Sequence, residues 1–253
     1  MKLQPIQYIG IELANGQHPY SYAALDNELR LVAVGGGSIT EVLSYAAGQH
    51  SAQIAINAPS NLNMRIMEQP EFRQSLSPIP EPKQWMKLRH AEYELAQMGI
   101  EIPHTPSTIS KCPSWVRRGF SLFRFLEELG YTAFPSENSS LQWVETPAEA
   151  CYWALLGKKP HQEKTFEGRL QRQLLLWDLE LPVPDPMKYF EEITRFRIIN
   201  GELPENMIYG SSELNALAAA YTAWIAVNRP EQALRLGNPD EGYIFLPSRP
   251  KSK

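Results

Sequence analysis

Three positions in this chain place oxygen-bearing side chains at the carboxyl ends of apolar runs. Glu12 lies near the end of the run Ile6 to Leu13, and Asn57 near the end of the almost wholly apolar run Gln53 to Ala58. Glu137 and Asn138 follow the run Tyr131 to Phe134. Ligands of open α/β sheets bind outside the carboxyl ends of the strands, where strand order switches. Hard oxygen donors gathered there would suit Mg²⁺ or Mn²⁺. The same residues also serve, without any chemistry, as a solvated strand-end charge and a turn former ahead of Pro59.

Other reactive groups form no such pattern. The five histidines (18, 50, 90, 104 and 161) are scattered, and none makes a zinc-type pair. Cys112 and Cys151 lack a histidine at useful spacing and read as buried thiols. Gly35-Gly36-Gly37 lacks the spacing and the lysine of a phosphate-binding loop, so it reads as a turn, and a phosphotransferase built on it is the weakest hypothesis.

Basic charge is concentrated in two segments. Residues 108–126 carry Lys111, Arg117, Arg118 and Arg124 with no acid, a local charge of +4. Residues 157–173 carry Lys158, Lys159, Lys164, Arg169 and Arg172 against Glu163 and Glu167, a local +3. Basic helices with Trp115, Phe120, Phe123 and Phe125 between the charges could track a phosphate backbone and stack bases. The aromatics themselves are better read as a helix face turned to the core, with the basic residues solvated.

These residues need elements to hold them. Gln7-containing Ile6 to Leu13, Tyr20 to Asp26 and Glu28 to Val34 read as a three-strand meander, with Asn15-Gly16 and Asp26-Asn27 as turns. Ser38 caps a helix over Ile39 to Ala47, and Gln53 to Ala58 then reads as a buried parallel strand. Residues 60–82 read as a proline-rich loop. Helices are expected over Lys83–Met98, Pro113–Leu129, Pro147–Leu156, Glu163–Leu179, Met187–Ile199 and Ser211–Val227, and strands over Tyr131–Phe134 and Gly242–Leu246. The order predicts an α/β domain over 1–253, with insertions around 60–110 and 157–205.

Composition bounds the partners. The 253 residues carry 24 basic and 28 acidic side chains, a net charge of −4, and 43% of them are hydrophobic, which excludes a disordered chain. The longest apolar stretch, Leu214 to Val227, has 14 residues, short of the ~18 of a membrane span. Without a basic-then-apolar leader the chain is expected to be cytoplasmic.

Several segments together resemble domain-of-unknown-function family 429, predicted nucleases of RNase H-like fold. They are Gly10-Ile11-Glu12, Ile54-Ala55-Ile56-Asn57-Ala58-Pro59, Arg89 with Glu92 in LRHAEYEL, and the run YTAFP ending at Pro135. Further pieces are Glu167-Gly168-Arg169 with Arg172, Asn215-Ala216 in SSELNALAAAYTAW, and the tail from Gly237-Asn238 through Glu241-Gly242 to Pro247. The resemblance spans nearly the whole chain. It implies an RNase H-like mixed five-stranded sheet, a meander followed by parallel crossover strands, with helices on both faces.

The resemblance also implies metal-dependent nuclease or phosphodiesterase activity with two Mg²⁺ or Mn²⁺ ions. Glu12, Asn57, Glu92 and Asn215 would be the catalytic positions, with Glu12, Asn57 and Asn215 on the metal. Arg89, Arg169, Arg172 and Lys164 would hold phosphate. Four positions depart from the family pattern: Glu12 and Asn57 each stand for Asp, Asn215 for the late-helix Asp, and Thr132 for an acid before the proline. Two amides in place of carboxylates weaken metal binding and imply reduced activity. Glu213 does not compensate, because two residues before Asn215 it lies about 200° around the helix. It reads as a first-turn acid favoured by the helix dipole. The alternative is a non-catalytic module on the same fold that binds nucleic acid or protein.

Overall fold

A computed structural model of the chain describes residues 6–13, 20–76 and 85–249. The expected Asn15-Gly16 turn lies outside them.

Short β-favouring runs form the meander: β1 (Gln7–Leu13), β2 (Tyr20–Leu25) and β3 (Leu31–Gly37) pair antiparallel in sequence. Gly35 to Gly37 are therefore the last residues of a strand and pair with Tyr22, Ser21 and Tyr20, which corrects their reading as a turn. Ser38 then caps α1 (Ile39–Ala47). Its Oγ accepts from the Glu41 N–H, and Glu41 accepts from the Ser38 N–H at 2.6 Å. The chain returns as β4 (Ala52–Asn57), parallel to β1, with Asn57 beside Glu12.

Beyond β4 the sheet is larger than expected. The described strands join one eight-stranded sheet, seven of them in the order β3-β2-β1-β4-β6-β8-β7 and one paired off this path, in place of the five strands predicted. The strand next to β4 is β6 (Leu141–Glu145), which sequence reasoning missed. The predicted strand Tyr131–Phe134 shrinks to β5 (Thr132–Ala133), which hangs on the far side of β6. A terminal hairpin, β7 (Ala233–Asn238) and β8 (Gly242–Pro247), completes the sheet.

Helical boundaries shift for identifiable reasons. The loop at 60–82 contains α2 (Pro70–Ser75), which opens on a proline at its first turn. The helix expected from Lys83 is α3 (His90–Gln97), fixed by Glu92 accepting from the Arg89 N–H at 3.0 Å; residues 83 and 84 lie outside the described residues. Next come α4 (Ser114–Glu128) and α5 (Ala148–Leu156). Helix α6 (Phe166–Asp178) starts later than predicted because Thr165 caps it. The single helix expected over Met187–Ile199 is two short ones, α7 (Lys188–Glu192) and α8 (Arg195–Asn200), the second capped by Thr194. The last, α9 (Ser211–Asn228), is the most buried.

Helices cover both faces of the sheet. Ile9 and Ile11 of β1 pack with Val42 of α1 and Leu122 and Leu126 of α4. On the other face, Tyr8 and Ala55 pack with α5 and α9. Side chains alternate along a strand, so Gly10 and Glu12 share the face toward α9. An added Cβ on Gly10 would lie 1.9 Å from the Ala216 carbonyl oxygen and 2.3 Å from the Ala220 nitrogen. Only glycine lets α9 approach β1 this closely, and that approach carries Asn215 to the level of Glu12. No helix among the described residues is long and apolar enough to cross a membrane.

Candidate functional site

A cavity of about 310 Å³ opens where the carboxyl ends of β1, β4 and β6 meet the N-terminal part of α9. Glu12, Asn57, Arg89, Glu92 and Asn215, all predicted site residues, line it. Glu145, Glu149 and Glu163 also line it, and none of these three was predicted. Leu13, Pro59, Pro103 and Trp115 form an apolar wall.

Glu12 is the electrostatic centre. Burial raises its pKa to about 7; hydrogen bonds from Asn57 and Asn215 pull it back in part, and the Glu163 charge pushes it further up. Asn57 Nδ2 donates to Glu12 Oε2, while Asn57 Oδ1 accepts from the Ala148 N–H at 3.0 Å. The amide is thereby fixed in one orientation: its oxygen caps the start of α5 and only its NH₂ faces Glu12. Asn57 thus faces Glu12 with its N–H while its oxygen is engaged by α5.

Arg89 and Glu92 turn out to belong to a buried ion network. Arg89 is 1% exposed and its guanidinium is ion-paired: Nε donates to Glu92 Oε1 at 3.2 Å, Nη1 to Glu145 Oε2 at 3.0 Å and to the Glu241 carbonyl at 3.5 Å, and Nη2 to Glu145 Oε1. Burial opposes its charge, but Glu145 and then Glu92 overcompensate, so its pKa lies above the ordinary arginine value. Glu145 also accepts from the Ser60 N–H at 2.8 Å, and Glu92 from the Thr105 N–H at 2.9 Å. Arg89 thus holds three segments together through buried ion pairs. Glu92 is engaged by Arg89 and the start of α3.

The other predicted phosphate ligands lie elsewhere. Arg172 is fully buried, donating to the carbonyls of His161 and Gly168 at 2.8 and 3.0 Å and to Glu149 Oε2 at 2.5 Å. Arg169 and Lys164 do not line the cavity. Of the aromatics in the first basic segment, Phe123 is core and packs edge-on against Trp143. Trp115 reaches the cavity. Glu137 and Asn138 are exposed and away from it. Both cysteines are buried and free, as expected. Glu213 accepts from the Gly210 N–H at 2.8 Å at the start of α9, the first-turn role expected of it.

Two ions do not fit this set. Among the described residues no three His, Cys, Asp or Glu side chains gather as a metal site. Asn57 turns its N–H to Glu12, and Glu92 and Glu145 share the single positive charge of Arg89.

Glu145 could have been found by extending the strand-end rule to LQWVE, which ends on an acid. Glu163 carries no such signal, since it lies in a loop whose path only the fold defines. No protein-family model, curated protein or solved structure matches this chain.

Proposed function

We propose that the chain is a phosphodiester hydrolase of RNase H-like arrangement, with activity reduced by its amide substitutions. The observation that supports this reading is the meeting of Glu12, Asn57 and Asn215, from a first strand, its parallel neighbour and a late helix, in one cavity at the strand ends. That is the convergence the family resemblance leads one to expect.

One divalent cation, in place of two, suits the residues: Glu12 is a carboxylate with no basic partner, and buried Asn215 Oδ1 meets no donor among the described residues. When bound by Glu12 and Asn215, Mg²⁺ or Mn²⁺ would offset phosphate charge and make a water more acidic. The chain's own residues do the positioning. Asn57 locks the Glu12 carboxyl, and the Arg89–Glu145–Glu92 network stiffens the cavity floor. Trp115 and the prolines exclude water and give a flat surface for a base or sugar. The volume is at the small end of ligand pockets, so a single-stranded end or an extruded nucleotide fits and a duplex does not.

The test is cleavage of single-stranded DNA, RNA and branched junctions in Mn²⁺. Slow cleavage is expected from the native chain, falling on the order of 10²-fold in Glu12→Gln. Products no more abundant than those of Glu12→Gln would refute the reading. A second reading, a non-catalytic nucleic-acid-binding module, draws on the Asn57–Glu12 hydrogen bond, which fills part of the metal position. Salt-dependent binding without cleavage would favour it.

A further inference from the structure

Glu163 sits outside the sheet, in the segment before α6, yet its carboxylate reaches the cavity through a built support. Thr165 donates to the Gln162 carbonyl twice, by N–H at 3.1 Å and by Oγ1 at 2.8 Å, and caps α6 by accepting from the Gly168 N–H at 3.0 Å. A Cβ on Gly168 would lie 1.9 Å from the Gln162 oxygen, so the glycine is what lets this turn close. The Glu163 carbonyl accepts from Ser211 Oγ at 2.8 Å, and its carboxylate accepts from Asn215 Nδ2 at 3.3 Å, one helical turn further along α9. Main chain and side chain are thus both tied to the helix that faces Glu12.

The acids around the cavity divide into those with a basic partner and those without. Glu92 and Glu145 are paired with Arg89, and Glu149 with Arg172. Among the described residues no basic side chain pairs with Glu12 or Glu163. Asn215, 4% exposed, has its NH₂ directed to Glu163 and its Oδ1 left without a donor. Two carboxylates and a buried amide oxygen with no basic partner make a place for positive charge. Mg²⁺ and Mn²⁺ are commonly held by one or two carboxylates while keeping several waters for substrate to displace.

We infer that Glu163, supplied by the 157–205 elaboration, is the second carboxylate of a one-cation site completed by Glu12 and Asn215 Oδ1. This inference rests on the hydrolase reading for its purpose but not for its test. The chain thereby regains at Glu163 one of the charges that Asn57 and Asn215 lack.

The experiment is Mn²⁺ binding to the full chain, followed by electron paramagnetic resonance and calorimetry in the absence of any substrate. One ion per chain is expected, weakened at least ~10-fold in Glu163→Gln and unchanged in Glu137→Gln, which alters an exposed acid elsewhere. Asn215→Asp, which turns a neutral ligand into a charged one, is expected to bind Mn²⁺ more tightly; circular dichroism confirms that each variant folds. Two ions, none, or equal affinity in Glu163→Gln would overturn the site. Glu163-dependent binding without cleavage of any nucleic acid would keep the site and remove the hydrolase. Cleavage that persists in chelator would do the reverse.

Discussion

Arg89→Met is expected to lower the unfolding free energy by about 3–5 kcal/mol, the range for removing one partner of a buried ion pair. The substitution keeps an unbranched apolar stem but removes the guanidinium, leaving Glu145 and Glu92, each 2% exposed, with only neutral N–H and O–H groups to face. It also unties the strand end at Glu145 from the start of α3, so the cavity floor loosens together with the fold. Adding Glu145→Leu is expected to recover part of the loss, because a well-packed apolar pair avoids burying the lone charge. Urea denaturation of the single and double variants measures both effects. Were Arg89 a phosphate clamp, Arg89→Met would leave stability within ~1 kcal/mol of the native chain and abolish nucleic-acid affinity instead.

The second large effect concerns pH. Glu12 titrates near 7 in the folded chain against 4.5 for an ordinary glutamate, because burial disfavours its charged form. Between those values the native state holds a proton that the unfolded chain has released. Stability therefore falls as pH rises from about 4.5 through 7 and levels off above, by about 3 kcal/mol in all at ~1.4 kcal/mol per pH unit. Glu12→Gln preserves the acceptor for Asn57 Nδ2 and removes the titration. In chelator it is expected to match the native chain near pH 4.5 and to exceed it by about 3 kcal/mol at pH 8. Parallel curves for the two proteins would mean that Glu12 is solvated and does not hold this cavity's charge.

Much of the scaffold was legible because local chemistry specified it. The meander follows from short β-favouring runs parted by turn residues such as Asp26-Asn27, α1 from the Ser38–Glu41 capping pair, and the buried strand from an almost wholly apolar run. β6 was not legible. Its sequence LQWVE mixes polar and apolar residues, and the neighbouring YTAF is the more apolar run, although it contributes only two residues to the sheet edge. β7, with ALRLGN after a long helix, was hidden for a similar reason.

The candidate site divides the same way. Glu12, Asn57 and Asn215 were found because strand ends and the family pattern point to them. The buried ion pairs of Arg89 and Arg172 were not legible because a sequence shows a cation without its partner. Glu145 is 56 residues from Arg89, and Glu149 is 23 from Arg172. Glu163 acquires its role only through the close approach of α9 to β1 at Gly10 and the turn at Gly168.

Whether phosphodiester chemistry takes place in the Glu12 cavity is decided by crystals soaked with Mn²⁺ and a non-hydrolysable dinucleotide. The bridging phosphate is expected inside the cavity, with one Mn²⁺ between it and Glu12, Glu163 and Asn215, and a base or sugar against Trp115. A dinucleotide bound instead along 108–126 or 157–173, with the cavity vacant, would contradict this and leave a binding module in place of a hydrolase.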